Sequence, residues 1–150
     1  MKFPLNVPLV TKLEKKYVND VLKKNWLSIH GHHTLKFEND VCKYLGIKKA
    51  IALQSGTAAL HAALKALGVK RGDKVIIPSY TCVSNISVLS QIGAVPIIVD
   101  VELDSFGMKV EGLELLIKKY KPKALQLVHV YGFPSKNTIC LLYTSPSPRD

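Results

Sequence analysis

Between Ala50 and Gly68 the sequence reads AIALQSGTAALHAALKALG: an apolar run stops at Gln54, Ser55-Gly56-Thr57 intervene, and an alanine-rich helix begins. Small residues at that place can do a definite piece of chemistry. The first N–H groups of a helix have no partner within it, and the dipole is positive there. A glycine lets an anion approach the backbone while neighbouring hydroxyls donate to it, so Ser55, Gly56 and Thr57 can cradle a phosphate. The same residues suit a plain N-cap, in which Ser55 or Thr57 accepts from its own helix, worth about 1 kcal/mol. The residues alone leave both readings open. Neither G-x-G-x-x-G nor G-x-x-x-x-G-K-[ST] occurs, which argues against a dinucleotide or P-loop site and favours a single phosphate on a small cofactor.

Other reactive residue types are scattered. His30, His32 and His33 form H-x-H-H in what reads as a loop, without an acidic neighbour or helical i, i+4 spacing, so a solvent-facing or pocket-rim loop is expected and no metal site. Cys42, Cys82 and Cys140 match no C-x-x-C pattern, which supports neither zinc nor a disulfide framework.

The elements that must position these residues follow from spacing. Thr11 and Glu14 form a capping box ahead of Leu13, Tyr17, Val18, Val21 and Leu22, which predicts a helix ending near Asn25. A second helix is predicted over about 34–45, stopping at Gly46. From there strand and helix alternate: strands at AIAL, KVIIP, VPIIVDV and ALQLVHVYG, and helices at 57–67, VSNISVLSQI and VEGLELLIKKY. The strands are continuously apolar, so both faces should be covered, as in an α/β layer with a mostly parallel sheet. In such sheets ligands bind beyond the carboxyl ends of the strands. Those ends are Gln54–Thr57, Pro78–Cys82, Asp100 and His129–Gly132.

Composition sets the outer bounds. The 150 residues are 47% hydrophobic and 21% charged, ordinary for a globular protein of one domain. The net charge of +10 comes from short lysine runs such as Lys15-Lys16 and Lys118-Lys119 on amphipathic helices, without nucleic-acid-binding spacing, so no nucleic acid is expected. No apolar run suggests a membrane helix and the N-terminus has no signal-peptide pattern, so a cytoplasmic protein is expected.

The ordered motifs NWLSIHG, FENDVCKYLG, SGTAAL, IIPSYTC and LVHVYGFP resemble the N-terminal part of the DegT/DnrJ/EryC1/StrS aminotransferases, over nearly all of residues 1–138. The resemblance implies a fold-type-I, pyridoxal-5'-phosphate-dependent enzyme, cut short within its large domain. It would move an amino group, typically from glutamate, onto a keto sugar nucleotide in deoxyamino-sugar or polysaccharide biosynthesis, as a homodimer. It implies that Gly56, Thr57 and Ala58 hold the cofactor phosphate. At the family's aromatic ring-stacking position this chain has Cys82, a thiol that can pack against a ring face without stacking, with Tyr80 two residues earlier. The same resemblance makes His129 and Tyr131 candidates for the substrate pocket; without it His129 reads as a hydrogen-bonded core histidine. It also places the histidine loop near the substrate entrance.

No catalytic residue is assigned. The resemblance puts the aspartate for the pyridine nitrogen and the Schiff-base lysine further along, so the piece by itself is expected to be inactive. Two alternatives stay open: a sugar dehydratase of the same family with histidine at the lysine position, or a non-catalytic binding or regulatory homologue. The last eleven residues, CLLYTSPSPRD, look like an in-frame translation of a transposase-type sequencing adapter. Residues 140–150 are therefore expected to be non-native and residues 1–139 the family portion.

Overall fold

A computed structural model describes residues 7–26, 28 and 31–134, which fall into two compact units, Met1–Ala52 and Leu53–Asp150. His30, Cys140 and the tail at 140–150 lie outside the described residues.

The first unit is helical. Helix α1 (Lys12–Lys23) opens on the expected capping box: Thr11 Oγ1 accepts from the Leu13 N–H at 3.1 Å, and the Thr11 N–H donates to Glu14 at 2.6 Å. Its last turn gives way to Asn25 at φ 53, two residues beyond the helix. Helix α2 (His32–Leu45) begins earlier than predicted and stops at Gly46, whose φ of 65 is the left-handed conformation that glycine adopts without a Cβ penalty. Neither helix has a buried residue among those described. The apolar stripe of α1 (Leu13, Val18, Leu22) and that of α2 (Leu35, Leu45) stay exposed in this unit.

The predicted strand AIAL does not form. Its backbone has no strand to pair with among the described residues; instead the Ala52 N–H donates to Glu38 Oε1 of α2 at 2.8 Å, and Ile51 is exposed. An apolar run without a ladder partner has no reason to hold strand geometry.

The second unit alternates as expected: α3 (Gly56–Ala66), β1 (Lys74–Pro78), α4 (Val83–Ile92), β2 (Val95–Val99), α5 (Leu113–Tyr120) and β3 (Ala124–Leu125). The strands form a parallel sheet in the order β2-β1-β3, with Ile76 opposite Ile97 on one side and Leu125 on the other. Successive side chains of β1 point to opposite faces, so the strand feeds two cores. Val75 and Ile77 pack with Leu64, Val88 and Leu89, beneath α3 and α4. Ile76 packs with Val99, Met108 and Leu113, beneath α5.

Burial on both faces holds for β1 and fails at the edge. In β2, the edge strand of the sheet, Val95 and Ile98 are both exposed although they point to opposite faces. The last predicted strand, 124–132, shrinks to Ala124–Leu125. One further rung, the Gln126 N–H on the Ile76 carbonyl at 2.9 Å, follows before the chain turns into a 3₁₀ turn, Val130–Gly132. Tyr131 has φ 53 there, which ends extended geometry.

Candidate active site

Because the three strands are parallel, their carboxyl ends open on one edge of the sheet. Helix α3 ends at the loop that feeds the start of β1, so its N-terminus lies toward that same edge. Helix α4 begins just beyond the end of β1, with Cys82 as its N-cap. Two helix N-termini and three strand ends thus share one side of the unit.

The cradle at α3 is built from its first turn. Ser55 is the N-cap in extended conformation, and its Oγ accepts from the Ala58 N–H at 3.1 Å. Ser55 therefore does the capping and consumes the Ala58 donor, while the Gly56 and Thr57 N–H groups have no partner within the helix. A Cβ placed on Gly56 would meet nothing within 4 Å, and its φ is not in the left-handed range. Neither packing nor backbone conformation requires glycine at this position, and the space over the helix end is open. That is the fit expected for an anion laid against the backbone. Thr57 and Ala58 line a hollow of about 430 Å³ with Gln54, Ser55, His61, Ala62 and Gln91. His61 stands one helical turn after Thr57, and its Nδ1 lies 3.2 Å from Gln91 Oε1, tying α3 to α4. Neither His61 nor Gln91 carries a motif in the sequence, although the i, i+4 spacing of Thr57 and His61 puts both on one helix face.

A second hollow, about 340 Å³, joins the ends of β1 and β3. Tyr80, Thr81 and Cys82 line it from one strand end and Val128, His129, Val130 and Tyr131 from the other. Three of the residues named from the sequence, Cys82, His129 and Tyr131, therefore come together, whereas Thr57 and Ala58 line the cradle. Gly56 lines neither hollow and opens the helix between its neighbours. The core-histidine reading of His129 fails: the residue is exposed, at the start of the 3₁₀ turn. Tyr131 is 97% exposed. Tyr80 is half exposed and packs on Phe106, ring centroids 5.4 Å apart at 48°.

Behind these residues the β1–α4 turn is held by Asn85, which is buried and donates through Nδ2 to Thr81 Oγ1. Cys82 is exposed and its pKa is lowered from the ordinary thiol range. The nearby Ser84 hydroxyl is the main cause and the Ser84 backbone N–H the next, both favouring the thiolate, while desolvation works against them.

The histidine motif folds differently from its sequence reading. His32 and His33 are not in a loop; they open α2, with Gly31 as N-cap, and an acidic partner is present in Asp20 of α1.

The chain belongs to the DegT/DnrJ/EryC1/StrS aminotransferase family, whose sequence pattern matches residues 8–138. It is 39% identical over 135 residues to a GDP-perosamine synthase of Escherichia coli O157:H7, covering 89% of this chain and 37% of that protein. It is 37% identical over 129 residues to a GDP-perosamine synthase of Vibrio cholerae, covering 86% and 35%. Among solved structures, the putative sugar aminotransferase Spr1654 from Streptococcus pneumoniae in its PLP-form superposes with a TM-score of 0.83 at 31% identity, covering 93% of this chain and 35% of that one. The α/β fold with a parallel sheet flanked by helices is thus that of the sugar aminotransferases. The chain spans about a third of the length of the relatives it matches. No helix of the described residues is long and apolar enough to cross a membrane.

Proposed function

We propose that this chain is part of a pyridoxal-5'-phosphate-dependent aminotransferase acting on a keto sugar nucleotide. Its amino donor would be of the glutamate type, and the whole protein a cytoplasmic homodimer. The observation that carries the reading is the α3 N-terminus: a glycine open above it, a threonine hydroxyl beside it, and two first-turn N–H groups without a partner in the helix. Pyridoxal phosphate supplies the electron sink for transamination when bound. In this chain Gly56 and Thr57 would hold its phosphate by N–H and hydroxyl donors, with Ala58 lining the cradle. Cys82 would lie against the ring, and His129 and Tyr131 would face the substrate from the end of β3. Names of the relatives make a GDP-linked keto sugar the first substrate to try.

We read residues 1–139 as the family portion and residues 140–150 as foreign; resequencing the gene from source DNA should replace CLLYTSPSPRD with a continuation of the family sequence. The decisive assay supplies that longer protein with glutamate and a GDP-linked 4-keto-6-deoxy sugar. Formation of the amino sugar with 2-oxoglutarate supports the reading. Release of a deoxygenated sugar would assign the dehydratase instead, and cofactor-independent binding without turnover would assign a non-catalytic homologue.

A further inference from the structure

Asp20, His32 and His33 bring three ligand atoms to one point: Asp20 Oδ2 lies 3.1 Å from His32 Nε2 and 2.9 Å from His33 Nε2, and all three atoms fall within 4.8 Å of one another. From this convergence we infer a transition-metal site in the helical first unit, with two imidazoles and one carboxylate as ligands and zinc as the natural occupant. The aminotransferase reading neither requires nor supplies it.

The distances are close to those an ion needs. Ligands bound to zinc at 2.0–2.2 Å in a tetrahedron stand about 3.3 Å apart; the two Asp20 edges, now at hydrogen-bond and ion-pair length, would open by a few tenths of an ångström, with the two imidazole nitrogens already within 4.8 Å of each other. Two histidines with one carboxylate, and a fourth position left to water, is a donor set that zinc takes; imidazole also suits cobalt and nickel. The local fold provides the convergence. Consecutive residues on a helix ordinarily point in different directions, yet both rings here turn to one carboxylate, with centroids 3.9 Å apart. His33 is steadied from behind by Tyr17, ring centroids 5.0 Å apart. Gly31 lets the Trp26 indole close against the N-cap: a Cβ at Gly31 would come within 2.8 Å of Trp26 Cδ1. The ligand side chains keep 26–49% of their surface exposed, so an ion can enter and retain water.

One group competes. Lys24 Nζ lies 3.0 Å from the same Asp20 oxygen, and Lys16 and Lys23 line the adjoining hollow with Asp20 and His33. An exposed i, i+4 ion pair is weak and salt-sensitive, so a divalent ion displaces Lys24 from the oxygen, and the lysine sets the affinity downward.

The test uses the full 150-residue chain without an affinity tag, titrated with cobalt(II) followed by its visible d–d band and then back-titrated with zinc. One equivalent of cobalt in a saturable, zinc-displaceable band is expected. His33→Gln and Asp20→Asn should each weaken binding at least tenfold, with His61→Gln and His129→Gln unchanged. Lys24→Gln, which alters only an exposed side chain and leaves every ligand in place, should tighten binding severalfold. No saturable band in the parent chain, equal binding in His33→Gln and Asp20→Asn, or loss of the band in His61→Gln or His129→Gln would each overturn the site.

Discussion

Ser55 Oγ lies 3.1 Å from the Ala58 backbone nitrogen, so the chain itself occupies one of the donors at the start of α3 and leaves its neighbours to a ligand. Two adjacent hydroxyls thereby acquire different work. Ser55 holds the helix, and Thr57 faces the hollow. Ser55→Ala should cost about 1 kcal/mol of stability, which for a domain of this size lowers Tm by roughly 2–4 °C. Thr57→Val should leave Tm nearly unchanged and, in the longer protein, weaken the cofactor by about ten- to a hundredfold, because a hydrogen bond to a charged group contributes about 1.5–3 kcal/mol. Thermal unfolding and cofactor titration of both variants separate the two roles; equal cofactor affinity in Thr57→Val and the parent would leave Thr57 as helix surface only.

Gly56→Ala should move stability and affinity in opposite directions. The added methyl meets no protein atom within 4 Å and the backbone there is not left-handed, so the helix gains roughly 0.5–1 kcal/mol from lower chain entropy in the unfolded state. The same methyl projects into the space above the first turn where a phosphate would lie, and cofactor affinity should fall. A variant with unchanged affinity would show that the anion does not approach over Gly56.

Cys82 should ionise at lower pH than a free cysteine. The Ser84 hydroxyl and N–H stabilise the thiolate, the charged form, so the pKa falls and the nucleophile appears earlier on an alkaline titration. The rate of iodoacetamide alkylation at Cys82, followed by peptide mass spectrometry, should rise at lower pH than for a cysteine-containing model peptide. Ser84→Ala keeps the N–H and loses the hydroxyl, the larger cause, so its midpoint should move upward. A midpoint insensitive to Ser84→Ala would remove the hydroxyl as the cause.

What could be read from the sequence is what short-range chemistry determines. The Thr11–Glu14 box, the glycine at 46, and the apolar spacing of α3, α4 and α5 each act within a turn or two, and the structure has them in place. Strands are less legible because a strand exists only with its partner. AIAL and ALQLVHVYG both read as apolar runs, yet the first has no ladder among the described residues and the second keeps only its opening residues beside β1. The candidate site divides along the same line. Ser55-Gly56-Thr57 announces itself locally, and the strand-end rule brings Cys82, His129 and Tyr131 to one hollow. Nothing near His32 and His33 in the sequence points to Asp20, since that meeting depends on how α1 and α2 pack.

Gln126 supplies the last prediction. Its backbone N–H is paired to Ile76, but although the residue is only 9% exposed, neither side-chain amide atom is hydrogen-bonded to a described residue. A buried amide without partners costs about 1–3 kcal/mol in desolvation. Gln126→Leu keeps nearly the same volume, removes both unpaired atoms and leaves the β1–β3 rung untouched, so repacking costs little. The 150-residue chain should therefore become more stable by about 1–3 kcal/mol, read as a higher urea midpoint with an unchanged slope. The longer protein provides the contrast. The aminotransferase reading continues the chain beyond β3, and a polar group arriving there would pair with the amide. In that protein Gln126→Leu should destabilise, because the arriving group would lose its own partner. A fall in the urea midpoint of the 150-residue chain would show that Gln126 is already hydrogen-bonded there.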